Sequence, residues 1–62
     1  MTITLKAARV NKGLTQPEAA SLIGVSKTTI INWERGKSFP DVKEIKKIEE
    51  VYGIGYNNIF FG

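Results

Sequence analysis

The stretch QPEAASLIGVSKTTIINWER, residues 16–35, contains two short helical patterns separated by a turn around Gly24. Just before the first pattern, Thr15 and Glu18 have the spacing of a capping box, in which each side chain accepts a hydrogen bond from the other residue's backbone amide. Gly24 can adopt the left-handed conformation that redirects the chain within one residue, and Ser26 is suited to cap the second helix. These features predict a helix-turn-helix.

The sequences on either side of this unit predict further helices. Helix 1 is expected from about Thr4 to Asn11, with Gly13 ending it, and helix 4 is expected between Asp41 and Gly53. A short fifth helix is expected over residues 54–60, and no alternation of polar and apolar residues predicts a strand. The predicted fold is therefore all-α: one compact domain, residues 1–62, of four or five short helices with the helix-turn-helix at about residues 16–35.

Composition excludes several classes of protein. The 62 residues contain no Cys and no His, so a metal site would need carboxylates alone, and no convincing cluster of carboxylates is present. His, Cys and a glycine-rich phosphate loop are all missing, so neither catalysis nor a cofactor nor a small-molecule substrate is expected. No stretch approaches the roughly 18 apolar residues of a membrane span. We expect a cytoplasmic protein without a membrane partner.

Positive charge is concentrated in the first part of the chain. The net charge is +3. Up to Lys37 there are six basic and two acidic residues, whereas three basic and four acidic residues follow. A positive patch attracts polyanions independently of their sequence. This asymmetry is compatible with DNA binding but is common in proteins that never meet DNA.

The second helix of the unit, about residues 26–35, has one polar and cationic face. At about 100° per residue, Ile30 and Trp33 fall on the opposite side and are expected in the core. The outward arc consists of Lys27, Thr28, Ile31, Asn32 and Arg35. Asn, Lys and Thr can hydrogen-bond to base edges in the major groove, and an exposed Ile can contact a thymine methyl. A polar arc is also typical of any surface helix, and the partner of Ile31 can equally be protein.

Several motifs recur at the spacing of one known family. The chain has Leu5-Lys6-Ala7-Ala8-Arg9, Gly13-Leu14-Thr15-Gln16, Ile23-Gly24-Val25-Ser26 and Trp33-Glu34-Arg35-Gly36. In these motifs it resembles the lambda-repressor-like helix-turn-helix family, which includes phage repressors and Cro proteins. The resemblance runs from about Leu5 to Tyr52 and implies a sequence-specific double-stranded DNA-binding transcription regulator.

The resemblance also implies roles for individual residues. Bases would be read by Lys27, Thr28 and Asn32, to which the exposed Ile31 is added. Backbone phosphates would be held by Gln16, Lys37 and Ser38, and by Arg35 from the outward arc. Arg9 and Glu34 would form a structural ion pair between helix 1 and the end of helix 3. The alternative is a protein-interaction module on the same fold, such as an antirepressor or an antitoxin-like partner.

The core and the C-terminus depart from the family pattern. Ala8 and Ala19 replace larger residues, so the core is expected to be thin or filled from elsewhere, and the buried face of helix 2 is expected to comprise Ala19, Ala20, Leu22 and Ile23. A cluster at the end of the chain consists of Tyr56, Ile59, Phe60 and Phe61. It predicts a seam for a weak homodimer on a near-palindromic operator, unless the chain is the DNA-binding part of a longer protein. Packing of the last two aromatics on helices 1 and 4 is the third possibility, favoured more for Phe60 than for Phe61.

Overall fold

Four helices account for most of the computed structural model, which describes residues 2–61. The helices are α1 (Leu5–Asn11), α2 (Gln16–Ile23), α3 (Lys27–Glu34) and α4 (Val42–Tyr52). The two-residue strands β1 (Ile3–Thr4) and β2 (Ile59–Phe60) and a 3₁₀ turn (Tyr56–Asn58) complete the order. The all-α prediction is confirmed, with two short strands as a minor addition. Within the described part of the chain, no helix has the length and apolar character needed to cross a bilayer.

Each helix is preceded by a capping residue, whose side chain accepts a hydrogen bond from the backbone amide three residues further along the chain. The caps are Thr4, Thr15, Ser26 and Asp41. The predicted capping box of Thr15 and Glu18 forms, and α4 has a second one, since Glu18 and Glu44 accept from the amides of their cap residues at 2.8 Å. The hydrogen bond from the Thr15 amide lowers the pKa of the Glu18 carboxyl. Helix 1 starts one residue later than predicted, because Thr4 caps it.

The turn between α2 and α3 depends on Gly24. Its φ of 91° lies in the left-handed region, and its amide donates to the Ala20 carbonyl at 2.8 Å. The amide of Val25 donates to the same carbonyl at 3.0 Å, and its side chain packs against the core. A side chain at residue 24 would be strained in this conformation. The predicted sharp redirection of the chain is therefore present.

The core lies where α2 packs on both α3 and α4. Ala8, Ala19 and Ala20 are buried, and the larger side chains of Trp33 and Ile48 belong to the same buried cluster. The prediction for Leu22 is wrong, because its side chain is 53% exposed. On α2 the buried residues share an arc of about 100°, and Leu22 lies about 60° outside it.

The predicted fifth helix is wrong. After α4 the chain forms the 3₁₀ turn and then β2, which pairs in parallel with β1 in the register Ile3 with Ile59 and Thr4 with Phe60. Ile59 is buried with 6% exposure, whereas Phe60 is 57% exposed on the other side of the strand. Two-residue strands are too short to produce an alternating pattern, and their pairing joins the two ends of the chain.

Candidate nucleic-acid interface

Helix α3 is held by its apolar side and presents its polar side outward. Ile30 is almost fully buried, and Trp33 is 6% exposed, so the tryptophan belongs to the core and does not stack on a ligand from this position. On the opposite side Lys27 and Thr28 are exposed, and Asn32 is half-buried. The orientation follows from the helical spacing, because residues three apart share a face.

The outward polar groups of α3 keep their hydrogen-bonding capacity for a ligand. Among residues 2–61, no hydrogen bond is made by the side chains of Lys27, Thr28 or Asn32. An ammonium, a hydroxyl and an amide therefore lie unbonded on one helical face. These are groups that can pair with base edges in the major groove. The half-buried Ile31 lies beside them.

An ion pair ties α1 to the end of α3. Arg9 Nε donates to Glu34 Oε2 at 2.7 Å and Arg9 Nη2 donates to Glu34 Oε1 at 3.2 Å, a two-pronged contact. The two side chains are 9% and 7% exposed. Arg9 Nη1 also donates to the Leu14 carbonyl at 2.8 Å. The hydrogen bonds to Glu34 raise the pKa of Arg9, and burial raises the pKa of the neighbouring Tyr52 to about 12.

Gln16 joins this ion pair from the first position of α2. Its Nε2 donates to Glu34 Oε1 at 3.2 Å. Its backbone amide has no acceptor among the described residues, whereas the amides of Glu18 and Ala19 donate back to Thr15. Pro17 has no N–H. Of residues 16–19, the start of α2 therefore offers one backbone donor, the amide of Gln16, to a phosphate.

A surface groove of about 290 Å³ opens beside Gln16. It is lined by Lys6, Gln16, Ile31, Glu34 and Arg35. Neither Lys6 nor Arg35 forms an ion pair with another residue in the range 2–61. Lys6 was not among the predicted site residues, although it lies three residues before Arg9 and hence on the same face of helix 1. That spacing is the sequence signal that could have identified it.

The loop after α3 starts in a defined position. Gly36 has a φ of 73° and donates its amide to the Trp33 carbonyl at 3.2 Å, and the amide of Lys37 donates to the Asn32 carbonyl at 2.9 Å. The side chain of Lys37 is exposed and Ser38 is half-buried. Lys37 thus follows directly after the C-terminal end of α3. In the described part of the chain, no group of acidic residues could hold a metal ion.

The C-terminal aromatic cluster differs from the predicted one. Ile59 is not part of an exposed cluster, because its side chain is buried in the core. Phe61 packs partly against that core, whereas Phe60 is exposed. The rings of Tyr56 and Phe61 lie 5.7 Å apart. Phe39, from the loop after α3, joins them along a shallow groove of about 240 Å³ that Pro40 and Ile45 complete. We call Phe39, Tyr56 and Phe61 the aromatic patch.

Comparisons with known proteins identify relatives that are named as HTH-type or phage transcription regulators. The chain is 33% identical over 58 residues to the HTH-type transcriptional activator BcrR of Enterococcus faecalis, covering 94% of this chain and 28% of that protein. It is 34% identical over 50 residues to the cryptic phage CTXphi transcriptional repressor RstR of Vibrio cholerae, covering 81% of this chain and 45% of RstR. An uncharacterized HTH-type transcriptional regulator of Methanocaldococcus jannaschii, MJ0272, is 41% identical over 56 residues, covering 90% of this chain and 85% of that protein.

The chain thus spans less than half the length of two of these relatives and most of the third. No solved structure matches it significantly. The family model described as helix-turn-helix matches residues 5–57, which is most of the chain. That match includes every helix of the fold and both sides of the groove beside Gln16. The chain therefore belongs to the Cro and phage-repressor type of helix-turn-helix family, whose members are transcription regulators.

Proposed function

We propose that this protein is a sequence-specific double-stranded DNA-binding regulator of the phage-repressor or Cro type, with α3 inserted in the major groove. The observation that carries the proposal is the unbonded polar face of α3, held outward by the buried Ile30 and Trp33. A helix so presented matches the width of the major groove of B-DNA. The proposed activity is binding, without a chemical step, and it belongs in the cytoplasm with the DNA.

The contacts divide into two classes. Base edges are read by Lys27, Thr28, Ile31 and Asn32, with the isoleucine contacting a thymine methyl. Phosphates are held by Gln16, Arg35, Lys37 and Ser38, which lie at the margins of α3. Phosphate contacts fix the register of the protein on the duplex, and base contacts supply the sequence preference. This division leads to opposite expectations for variants of the two classes.

Replacing Asn32 by alanine is expected to weaken binding to the operator by about 1–3 kcal/mol and to relax the preference at one base pair. The reason is that its unbonded amide can pair with adenine through two hydrogen bonds. The operator is first selected from random duplexes, and affinities are then measured on the selected and on a random duplex. Equal losses on both duplexes would contradict a base-reading role.

Replacing Lys37 by alanine is expected to weaken both duplexes about equally and to reduce the slope of log K against log salt by about 1. A lysine on a phosphate carries charge but no sequence information. A changed base preference with an unchanged slope would instead assign Lys37 to the base-reading class. Salt-insensitive binding of the unaltered protein would favour a protein-interaction module over a DNA reader.

We further propose a weak homodimer on a near-palindromic operator. Exposed apolar side chains mark interaction surfaces, and Phe39, Tyr56 and Phe60 are each more than half exposed. In a two-fold dimer, each α3 must lie about 17 Å from the axis, half of the 34 Å between successive major grooves. The domain measures 27 Å in its longest dimension, so two copies in direct contact can satisfy this distance.

Replacing Phe60 by serine is expected to reduce the cooperativity of operator binding several-fold without unfolding the domain, because the ring is exposed and not part of the core. Sedimentation and binding isotherms at several protein concentrations measure the effect. Leu22→Ser is the matched control, since Leu22 is about equally exposed but lies on α2. One copy saturating the operator fragment, with a monomer in solution at high concentration, would rule out the dimer.

A further inference from the structure

The groove beside Gln16 is lined by two cationic side chains that do not pair with its carboxylate. Lys6 comes from α1, Gln16 from α2 and Arg35 from the end of α3, so three separate elements converge on it. Within residues 2–61, the one carboxylate lining the groove is Glu34, and Arg9 already pairs with it. The charges of Lys6 and Arg35 remain without a partner among the described residues. An anion is therefore the complementary ligand.

The orientation of the Gln16 amide follows from its partner. The oxygens of an ionised carboxylate only accept hydrogen bonds, so Gln16 must direct its NH₂ group toward Glu34. One of the two hydrogens on Nε2 is used at 3.2 Å, and the other remains for a second acceptor. Glu34 is itself fixed by two hydrogen bonds from Arg9. The chain Arg9–Glu34–Gln16 thus runs from the protein interior to the groove.

We propose that this groove binds a single DNA-backbone phosphate, with Lys6 as an additional phosphate ligand and Glu34 as the positioning residue that holds the Gln16 amide toward it. The proposal rests on the proposed function and adds two residues to it. Arg9 also favours phosphate binding, because it neutralises the Glu34 carboxylate, which would otherwise repel the phosphate. The ion pair therefore acts on DNA binding as well as on folding.

The first arm of the test measures how much the charge of Lys6 contributes to DNA binding. Binding of the full chain to a random-sequence duplex, which removes base reading, is followed at several salt concentrations. Lys6→Met is expected to reduce the slope of log K against log salt by about 1, as the loss of one phosphate contact should. Lys43→Met is the matched control, since Lys43 is an exposed lysine of α4 that forms no ion pair with any residue in the range 2–61, and it should leave the slope unchanged.

The second arm tests whether Glu34 affects DNA binding by positioning the Gln16 amide. Arg9 is kept in every variant. Glu34→Gln is expected to weaken binding per folded molecule by about three- to tenfold, the equivalent of one net hydrogen bond. In a Gln16→Ala background the same change is expected to have no effect or to strengthen binding slightly, because the residue through which Glu34 acts is gone. Unfolding curves of each variant supply the folded fraction, so a purely structural role is separated from positioning.

The inference is overturned if Lys6→Met and Lys43→Met change the slope alike, or if Glu34→Gln weakens binding equally in both backgrounds. These outcomes leave the proposed function intact, because the unaltered protein still binds DNA in a salt-dependent way. Absence of any salt-dependent binding by the unaltered protein would instead refute the proposed function itself.

Discussion

Trp33→Ala is expected to leave most of the protein unfolded at room temperature. The side chain is 6% exposed and belongs to the buried core, so its removal creates a large cavity. Truncation of a buried tryptophan costs about 3–5 kcal/mol. At about 0.05–0.15 kcal/mol per residue, a domain of this size has only about 3–9 kcal/mol of stability to lose. The loss is therefore comparable to the whole stability.

Urea unfolding followed by circular dichroism measures this effect. Leu22→Ala is the control for loss of an apolar side chain, since Leu22 is more than half exposed and its truncation should cost far less. DNA binding by Trp33→Ala should be lost only in proportion to the unfolded fraction. A fully folded variant with weakened DNA binding would mean that Trp33 contacts the ligand, contrary to its burial.

Arg9→Met is expected to be the second most destabilising change. It leaves the Glu34 carboxylate nearly buried without its counter-ion, which costs on the order of 3–5 kcal/mol. Glu34→Gln likewise leaves the Arg9 guanidinium nearly buried without its counter-ion. The double variant removes both charges, so its loss should be clearly smaller than the sum of the two single losses.

Thermal and urea unfolding of the two single variants and the double variant give the coupling free energy. Lys47→Met in the Lys47–Glu50 pair is the control, because that pair is 3.6 Å apart and 49% and 70% exposed. Exposed pairs contribute at most about 1 kcal/mol. Strictly additive losses for Arg9 and Glu34 would show that their short contact contributes nothing to folding.

The two short strands show where sequence reasoning fails. Residues 54–60 contain enough apolar side chains to suggest a helix, yet the chain forms a 3₁₀ turn and a strand. The reason is non-local: Ile59 gains a buried position and a hydrogen-bonding neighbour only because Ile3, at the other end of the chain, lies beside it. The same pairing turns Phe60 outward. The roles of Phe60 and Phe61 were therefore reversed in the prediction.

The sequence by itself determined the boundaries of the four α-helices to within about one residue, the turn and the direction in which α3 faces. Each depends on residues within four positions of one another: a cap and the amide it accepts, a glycine in a left-handed turn, or Ile30 and Trp33 on one side of a helix. Only the tertiary structure decided that Lys6, Gln16, Glu34 and Arg35 share one groove and that Phe39 joins the C-terminal aromatics. Local hydrogen bonding and helical spacing act within a few residues, whereas such contacts arise only when separate elements pack around a common core.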